Sequence, residues 1–201
     1  MPKRVSREFY LRPTLIVAKE LLGKYLVRKI GKKKLAGKIV EVEAYIGPQD
    51  RAAHSYGGKI TKRNKTVYLK RGHAYIYLCY GINWLLNIVT GGKGTPECVL
   101  IRALEPSLGE YRDPRKFKNL TNGPGKLCRW LKLNKTFNEE DLVKSRRFWL
   151  ENRSDLLPEK IKKSQIVTAK RIGIDYAKEW AKKPWRFYLK DNLFVSRPHT
   201  K

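Results

Sequence analysis

His73-Ala74-Tyr75-Ile76-Tyr77-Leu78-Cys79-Tyr80-Gly81-Ile82-Asn83-Trp84-Leu85-Leu86-Asn87-Ile88-Val89-Thr90 reads as two β-branched and aromatic runs joined at Gly81, the pattern of a β-hairpin. Gly91-Gly92-Lys93-Gly94 then turns the chain into a third run, Cys98 to Leu104. Upstream, Tyr25 to Ile30, Gly31-Lys32-Lys33 and Leu35 to Tyr45 form a second candidate hairpin, and strands are expected at Ile166 to Ile174 and Trp185 to Leu189. Strands adjacent in sequence and joined by short turns predict a curved, largely antiparallel sheet. Short helices are expected around it. One follows Arg12-Pro13-Thr14, with Leu15, Ala18, Leu21 and Leu22 as its apolar stripe and Gly23 at its end. Others are expected near Lys126 to Leu133, Asp141 to Leu150 and Tyr176 to Ala181. The fold class is α+β, one mixed domain over residues 1–201, with 1–11 read as a flexible basic tail.

Forty-five Lys and Arg face eighteen Asp and Glu, a net charge of +27. Such an excess points to a polyanion, because neutralising phosphates releases counterions without demanding a sequence. No apolar run reaches membrane length, so a membrane partner is not expected. No apolar signal core follows Met1-Pro2-Lys3-Arg4-Val5-Ser6-Arg7, and the expectation is an intracellular protein: cytoplasm or nucleoid in a prokaryote, nucleus in a eukaryote. Cys79, Cys98 and Cys128 are widely spaced and accompanied by three histidines, which suits small buried residues better than a disulfide framework or a metal site.

Against this positive background, Glu41-Val42-Glu43-Ala44-Tyr45 carries two acids on one strand. Alternation sets Val40, Val42 and Ala44 on an apolar face and Ile39, Glu41, Glu43 and Tyr45 on the other, with the carboxylates roughly 7 Å apart. Taken alone, they read first as solvated residues of an exposed face, and Tyr45, Tyr75 and Tyr77 as packing aromatics. His54 alone is an ordinary loop histidine. Their convergence with the long polar loop 46–66, which carries Gly57-Gly58 and the cations Lys59, Lys62, Arg63 and Lys65, favours a site.

Tyr80-Gly81-Ile82 sits at a hairpin apex, where apolar side chains either pack back or enter a base step as a wedge. Arg102, inside the apolar run Val99 to Leu104, calls for a carboxylate such as Glu43, as a structural pair or a catalytic one. Gly123-Pro124-Gly125-Lys126 precedes a helix and offers Lys126 to a phosphate, without Walker spacing. Two rival readings stand beside a hydrolytic enzyme: a metal nuclease built on Glu41, Glu43 and Asp50, and a non-catalytic nucleic-acid-binding module.

Taken with Ile46-Gly47-Pro48, Ala52-Ala53-His54-Ser55, Thr61, Arg63-Asn64, Cys98 to Pro106, Asn134 to Phe137, Arg171, Gly173 and Trp180 to Tyr188, these motifs make the chain resemble the alkyladenine (3-methyladenine) DNA glycosylase family from about Arg12 to Ser196. It departs from the family pattern in a longer Gly91 to Glu97 loop, a variable Arg153 to Ser164 segment, and the residues at Tyr56 and Gly125. The resemblance implies a monofunctional glycosylase of base excision repair, with a bifunctional glycosylase-lyase using a Lys amine as its main enzyme rival. It would hydrolyse the N-glycosidic bond of alkylated or deaminated purines (3-methyladenine, 7-methylguanine, with hypoxanthine and ethenoadenine as further candidates) and leave an abasic site. It makes Glu43 the base that activates water, with Arg102 and the Ile172 carbonyl holding that water. Tyr45, His54 and Tyr77 would wall the pocket, the His54 backbone reading the base, and Asn87 would exclude guanine. Tyr80 would fill the vacated stack beside Ile82, and Lys59, Thr61, Arg63, Asn64 and Lys126 would touch DNA. No cofactor or metal is implied; the partner is double-stranded DNA with damaged purines, and a monomer is expected.

Overall fold

Both hairpins form and join a single sheet in the computed structural model, which describes residues 3–107, 114–153 and 161–198. Its strands are β1 (Lys3–Arg4), β2 (Tyr25–Ile30), β3 (Lys33–Ile46), β4 (Ala74–Cys79), β5 (Asn83–Val89), β6 (Glu97–Pro106), β7 (Phe148–Asn152), β8 (Ile166–Ala169) and β9 (Arg186–Leu189). Their order is β1-β7-β2-β3-β6-β5-β4, with β9 bridging β3 and β8, and every pairing is antiparallel. Three α-helices accompany the sheet among the described residues, α1 (Thr14–Leu21), α2 (Pro114–Thr121) and α3 (Pro124–Trp130), with short 3-10 turns between elements. None of the described helices is long and apolar enough to cross a membrane.

β3 is the axis of the molecule, and it is not a regular strand. Its first half pairs with β2 as far as Lys38, and at Glu41–Glu43 β9 lies alongside it instead. Register against β6 slips twice at this changeover: Ile39 faces Leu104, Glu41 faces Ala103, and Val42 faces Ile101. Val40 is therefore the extra residue on one strand and Arg102 the extra residue on the other. An inserted residue reverses the alternation on either side of it. Ile39 thus joins Val42 and Ala44 in the main core, whereas Val40 packs with Tyr188 and Phe194 in a second cluster. The expected grouping of Val40 with Val42 is corrected on this point, while Glu41, Glu43 and Tyr45 keep a common side.

Around β3 the core is assembled from Leu26, Ile76, Leu86, Ile88, Ile101 and Leu104 of the sheet. α1 adds Val17, Ala18 and Leu21, and α3 adds Leu127 and Cys128. Each large apolar side chain so removed from water contributes about 1.5–3 kcal/mol. α1 ends at Gly23, whose φ of +81° suits a helix C-terminus.

Three further expectations are corrected. Residues 3–11 are no free tail: Lys3–Arg4 pairs with β7, Arg7 donates to both Asp141 oxygens at 2.7 and 2.6 Å, and Tyr10 is fully buried. The helix expected over Asp141 to Leu150 is a turn followed by β7. Ser145 Oγ accepts from the Arg147 and Phe148 amides, which diverts them from helical bonding, and Phe148 and Leu150 alternate into the core. The strand expected to reach Ile174 stops at Ala169 because Arg171 turns inward. Much of the Arg153 to Ser164 segment lies outside the described residues.

Candidate active site

Four strands and two loops enclose a cavity of about 480 Å³, within the range of small-molecule sites. Tyr45 comes from the end of β3, Tyr77 from β4, Asn87 from β5 and Arg102 from β6. His54 comes from the loop after β3, and Ile172 to Ile174 and Tyr176 from the connection between β8 and β9. The sheet thus places the expected pocket residues on one concavity.

Glu43 lies directly behind its floor, with no exposed side-chain surface. Three donors hold the carboxylate: the Tyr45 hydroxyl at 2.9 Å to Oε2, the Ile172 amide at 2.8 Å to Oε1, and Arg102 Nη1 at 3.2 Å from Oε1. All three donor residues line the cavity. Ile172, expected to act through its carbonyl, engages the acid through its N–H. Arg102 is pushed toward the charged form despite the opposing cost of burial, because the Glu43 and Glu41 carboxylates outweigh it.

Glu41 has a different surround. Its oxygens accept from Arg102 Nε at 3.1 Å, Arg186 Nη1 at 3.0 Å, Ser196 Oγ at 3.0 Å and the Ser196 amide at 2.7 Å. Asp50 is likewise saturated, by Arg171 and by the Ile46 and Ala52 amides. The trio proposed for a metal nuclease is matched by arginines instead, Arg102 bridging Glu41 and Glu43 and Arg171 pairing with Asp50, and no group of three His, Cys, Asp or Glu converges among the described residues. Among the described residues the cations lining the cavity are Arg63 and Arg102, and a guanidinium is no Schiff-base nucleophile.

Aromatic rings make the walls. His54 lies edge-on to Tyr77 with centroids 4.5 Å apart, and its Nδ1 is 2.8 Å from the Tyr75 hydroxyl. His54 is exposed at the rim yet set in a concave surround. Loss of water there, with the Arg63 guanidinium, pulls its pKa down to about 4. Burial pushes the Tyr45, Tyr75 and Tyr77 phenols up, so all three stay protonated. Arg63 stacks over the Tyr77 ring at 5.1 Å. Asn87 is buried, with Nδ2 donating to the Tyr75 carbonyl at 3.3 Å and Oδ1 3.7 Å from the Cys98 sulfur. Burial raises the Cys98 thiol to about 12, which keeps it a neutral packing group.

At the rim, Tyr80 is 90% and Ile82 75% exposed. The β4–β5 turn has φ of +50° at Tyr80 and +70° at Gly81, closed by the Ile82 amide on the Cys79 carbonyl at 3.1 Å. Three residues, Tyr80 to Ile82, join the paired ends Cys79 and Asn83; the two with positive φ sit where Asn and Gly are favoured, and a tyrosine in the left-handed region costs about 1–2 kcal/mol. The Tyr80 ring thus stands in water at a strained apex instead of packing back on the sheet. Ile82 borders a neighbouring recess of about 280 Å³ with Arg129 and Lys132.

The loop residues divide. Lys59, Thr61 and Arg63 are exposed. Asn64 is not available to a nucleic acid: it is buried, its amide donates to the His54 and Lys59 carbonyls at 2.8 and 2.9 Å, and its oxygen accepts from the Thr61 amide at 2.7 Å. It organises the loop, and it occupies the carbonyl of His54, the residue whose backbone is expected to read a base. Lys126 lies outside the cavity lining and donates to Asn122 at 2.8 Å. Sequence reasoning missed Tyr176, 68% exposed on the cavity wall, and the buried Asp50–Arg171 pair. The only signal for the pair was an acid and a base flanking motifs already singled out.

The chain is similar to known proteins over nearly its full length. A family model described as Methylpurine-DNA glycosylase matches residues 8–193. A Desulfitobacterium hafniense protein named "Putative 3-methyladenine DNA glycosylase" is 48% identical over 207 residues, covering 96% of this chain and 98% of its own. Proteins of the same name from Clostridium novyi and Borreliella burgdorferi are each 45% identical, covering 97% and 96% of this chain and 99% and 100% of theirs.

Proposed function

Because the chain belongs to the methylpurine-DNA glycosylase family, we propose that it excises alkylated purines from double-stranded DNA by hydrolysing the N-glycosidic bond, leaving an abasic site. The observation that carries the reading is the placement of Glu43, a carboxylate fixed by three donors immediately behind an aromatic cavity.

A base stacked within a duplex hides its glycosidic bond, so the nucleotide must be turned out at a cost of a few kcal/mol. Stacking on aromatic rings returns about 1–3 kcal/mol per base contact, and Tyr45, His54 and Tyr77 supply the rings. Tyr80 fills the vacated stack, where its exposed ring replaces lost base contacts, with Ile82 beside it. Arg63 and the exposed lysines of the same loop, within a chain of net charge +27, hold the phosphates. Asn87, on the buried wall, excludes the exocyclic amino group of guanine. Electron-rich rings favour a cationic methylated purine, which is also the better leaving group.

In the chemical step Glu43 takes a proton from water as the water oxygen attacks the anomeric carbon of the deoxyribose. The bond to the base nitrogen breaks, and the electron pair leaves with the purine. The carboxylate stabilises the developing sugar cation, and Arg102 and the Ile172 carbonyl orient the water. An alkylated duplex incubated with the protein should release free methylpurine, and Glu43→Gln should slow release by about 10²–10⁴-fold while duplex binding persists. A fully active Gln variant removes Glu43 from the mechanism.

A further inference from the structure

We propose that the buried Asp50–Arg171 pair is the positioning element that holds two of the three donors on Glu43, a role that rests on the reading of Glu43 as the base. Both side chains have no exposed surface. Arg171 Nη2 donates to Asp50 Oδ1 at 2.9 Å and its Nη1 to Oδ2, a two-pronged pairing that fixes the guanidinium plane.

From that plane Arg171 reaches both donors. Nη1 also donates to the Ala44 carbonyl at 3.0 Å, between Glu43 and Tyr45 in the strand, and the guanidinium stacks on the Tyr45 ring at 4.7 Å. The guanidinium also lies over the Trp185 ring at 5.1 Å, and Nη2 ties to the Trp180 carbonyl at 3.1 Å. The next residue along the chain is Ile172, whose amide donates to Glu43. Arg171 therefore determines where the Tyr45 ring lies and where the Ile172 peptide sits, and so sets the direction in which the carboxylate points.

Asp50 completes the device from the opposite side. Its oxygens accept from the Ile46 amide at 3.3 Å and the Ala52 amide at 3.0 Å, which anchors the loop just before His54. One ion pair thus links the end of β3, the loop bearing His54 and the segment after β8. A buried ion pair is a poor source of net stability, since desolvation cancels most of its attraction. What it supplies instead is a fixed geometry shared by three separate chain segments. A displacement of about 1 Å at a reacting group is enough to cost about 10²-fold in rate.

Arg171→Lys keeps the cation but loses the fork, and Asp50→Asn keeps the volume but loses the charge. Single-turnover release of methylpurine, affinity for a duplex carrying an abasic-site analogue, and thermal midpoint are measured for each, alone and combined with Glu43→Gln. The expected result is a rate lowered about 10–100-fold in both variants, with affinity changed less than about 3-fold. In the Glu43→Gln background neither change should slow the residual rate further, because the group being positioned is gone. Equal loss of rate and affinity, an unchanged rate, full additivity with Glu43→Gln, or failure of both variants to fold each overturns the proposal. If wild-type protein releases no base, the glycosylase reading has failed instead; wild-type release with a fast Arg171→Lys variant sinks only the positioning role.

Discussion

Tyr45 donates its phenolic proton to Glu43 Oε2 at 2.9 Å from two positions along the same strand, on the same face. One side chain thus has two separable parts, a ring that lines the cavity and a hydroxyl that steers the acid. Tyr45→Phe keeps the first and deletes the second. A hydrogen bond to a charged group is worth about 1.5–3 kcal/mol, and only a fraction of that bears on the transition state. Base release should slow about 10-fold, with lesion affinity held within about 3-fold. Stopped-flow release alongside equilibrium binding reads both, and a large loss of affinity would show that the hydroxyl contacts the base.

Glu41 should matter for folding more than for chemistry. Its carboxylate faces Arg102 and Arg186 in a buried layer and also receives two bonds from Ser196, tying the C-terminal segment to β3. Glu41→Gln leaves two buried guanidinium groups short of a counter-charge, for which about 3–5 kcal/mol is the usual penalty. Urea unfolding should show a lower midpoint, with the unfolding free energy reduced by about 3–5 kcal/mol. An unchanged midpoint would mean that Glu43 alone balances Arg102.

His54 gives the site a stability signature on the acid side. Its pKa is about 4 in the folded protein against an ordinary 6.5. Between those values the unfolded chain binds more protons than the native one, so native stability rises with pH across the window. The contribution is complete above pH 6.5 and disappears as the pH falls to 4. Thermal midpoints of wild type minus His54→Gln, taken from pH 4 to 7, should therefore grow with pH and level off near neutrality. A flat difference would show the ring to be open to water.

The sheet was legible because alternation and glycine turns are local signals, and the β4–β5 and β2–β3 hairpins were read nearly to the residue. The bulge at Val40 was not, since one inserted residue in an apolar run leaves composition and spacing looking regular. β7 was misread because Ser145 ends helical bonding through its side chain, a choice settled only once Phe148 and Leu150 find the core. In the site, Arg102 was legible as a cation in an apolar strand requiring an acid. Asn64 was misassigned because a polar loop residue near basic neighbours looks exposed; only the folded loop shows its amide spent on two carbonyls. The Ile172 amide leaves no side-chain trace at all, so no sequence pattern could have announced it.

Tyr80 sets stability against function, and the two can be pulled apart. At φ of +50° it occupies the first position of a turn that Asn fits better, and its ring is 90% exposed. Tyr80→Asn should therefore relieve strain and raise unfolding free energy by about 1 kcal/mol. The same change removes the ring that fills the gap beside an extruded nucleotide, where an aromatic contact is worth about 1–3 kcal/mol. Affinity for a lesion-bearing duplex should fall about 5–100-fold while release from single-stranded substrate, which has no stack to fill, stays near wild type. Urea unfolding supplies the first number, and paired binding and release assays supply the others. A variant that gains stability and keeps full affinity for duplex would show that the apex tyrosine does not enter the helix.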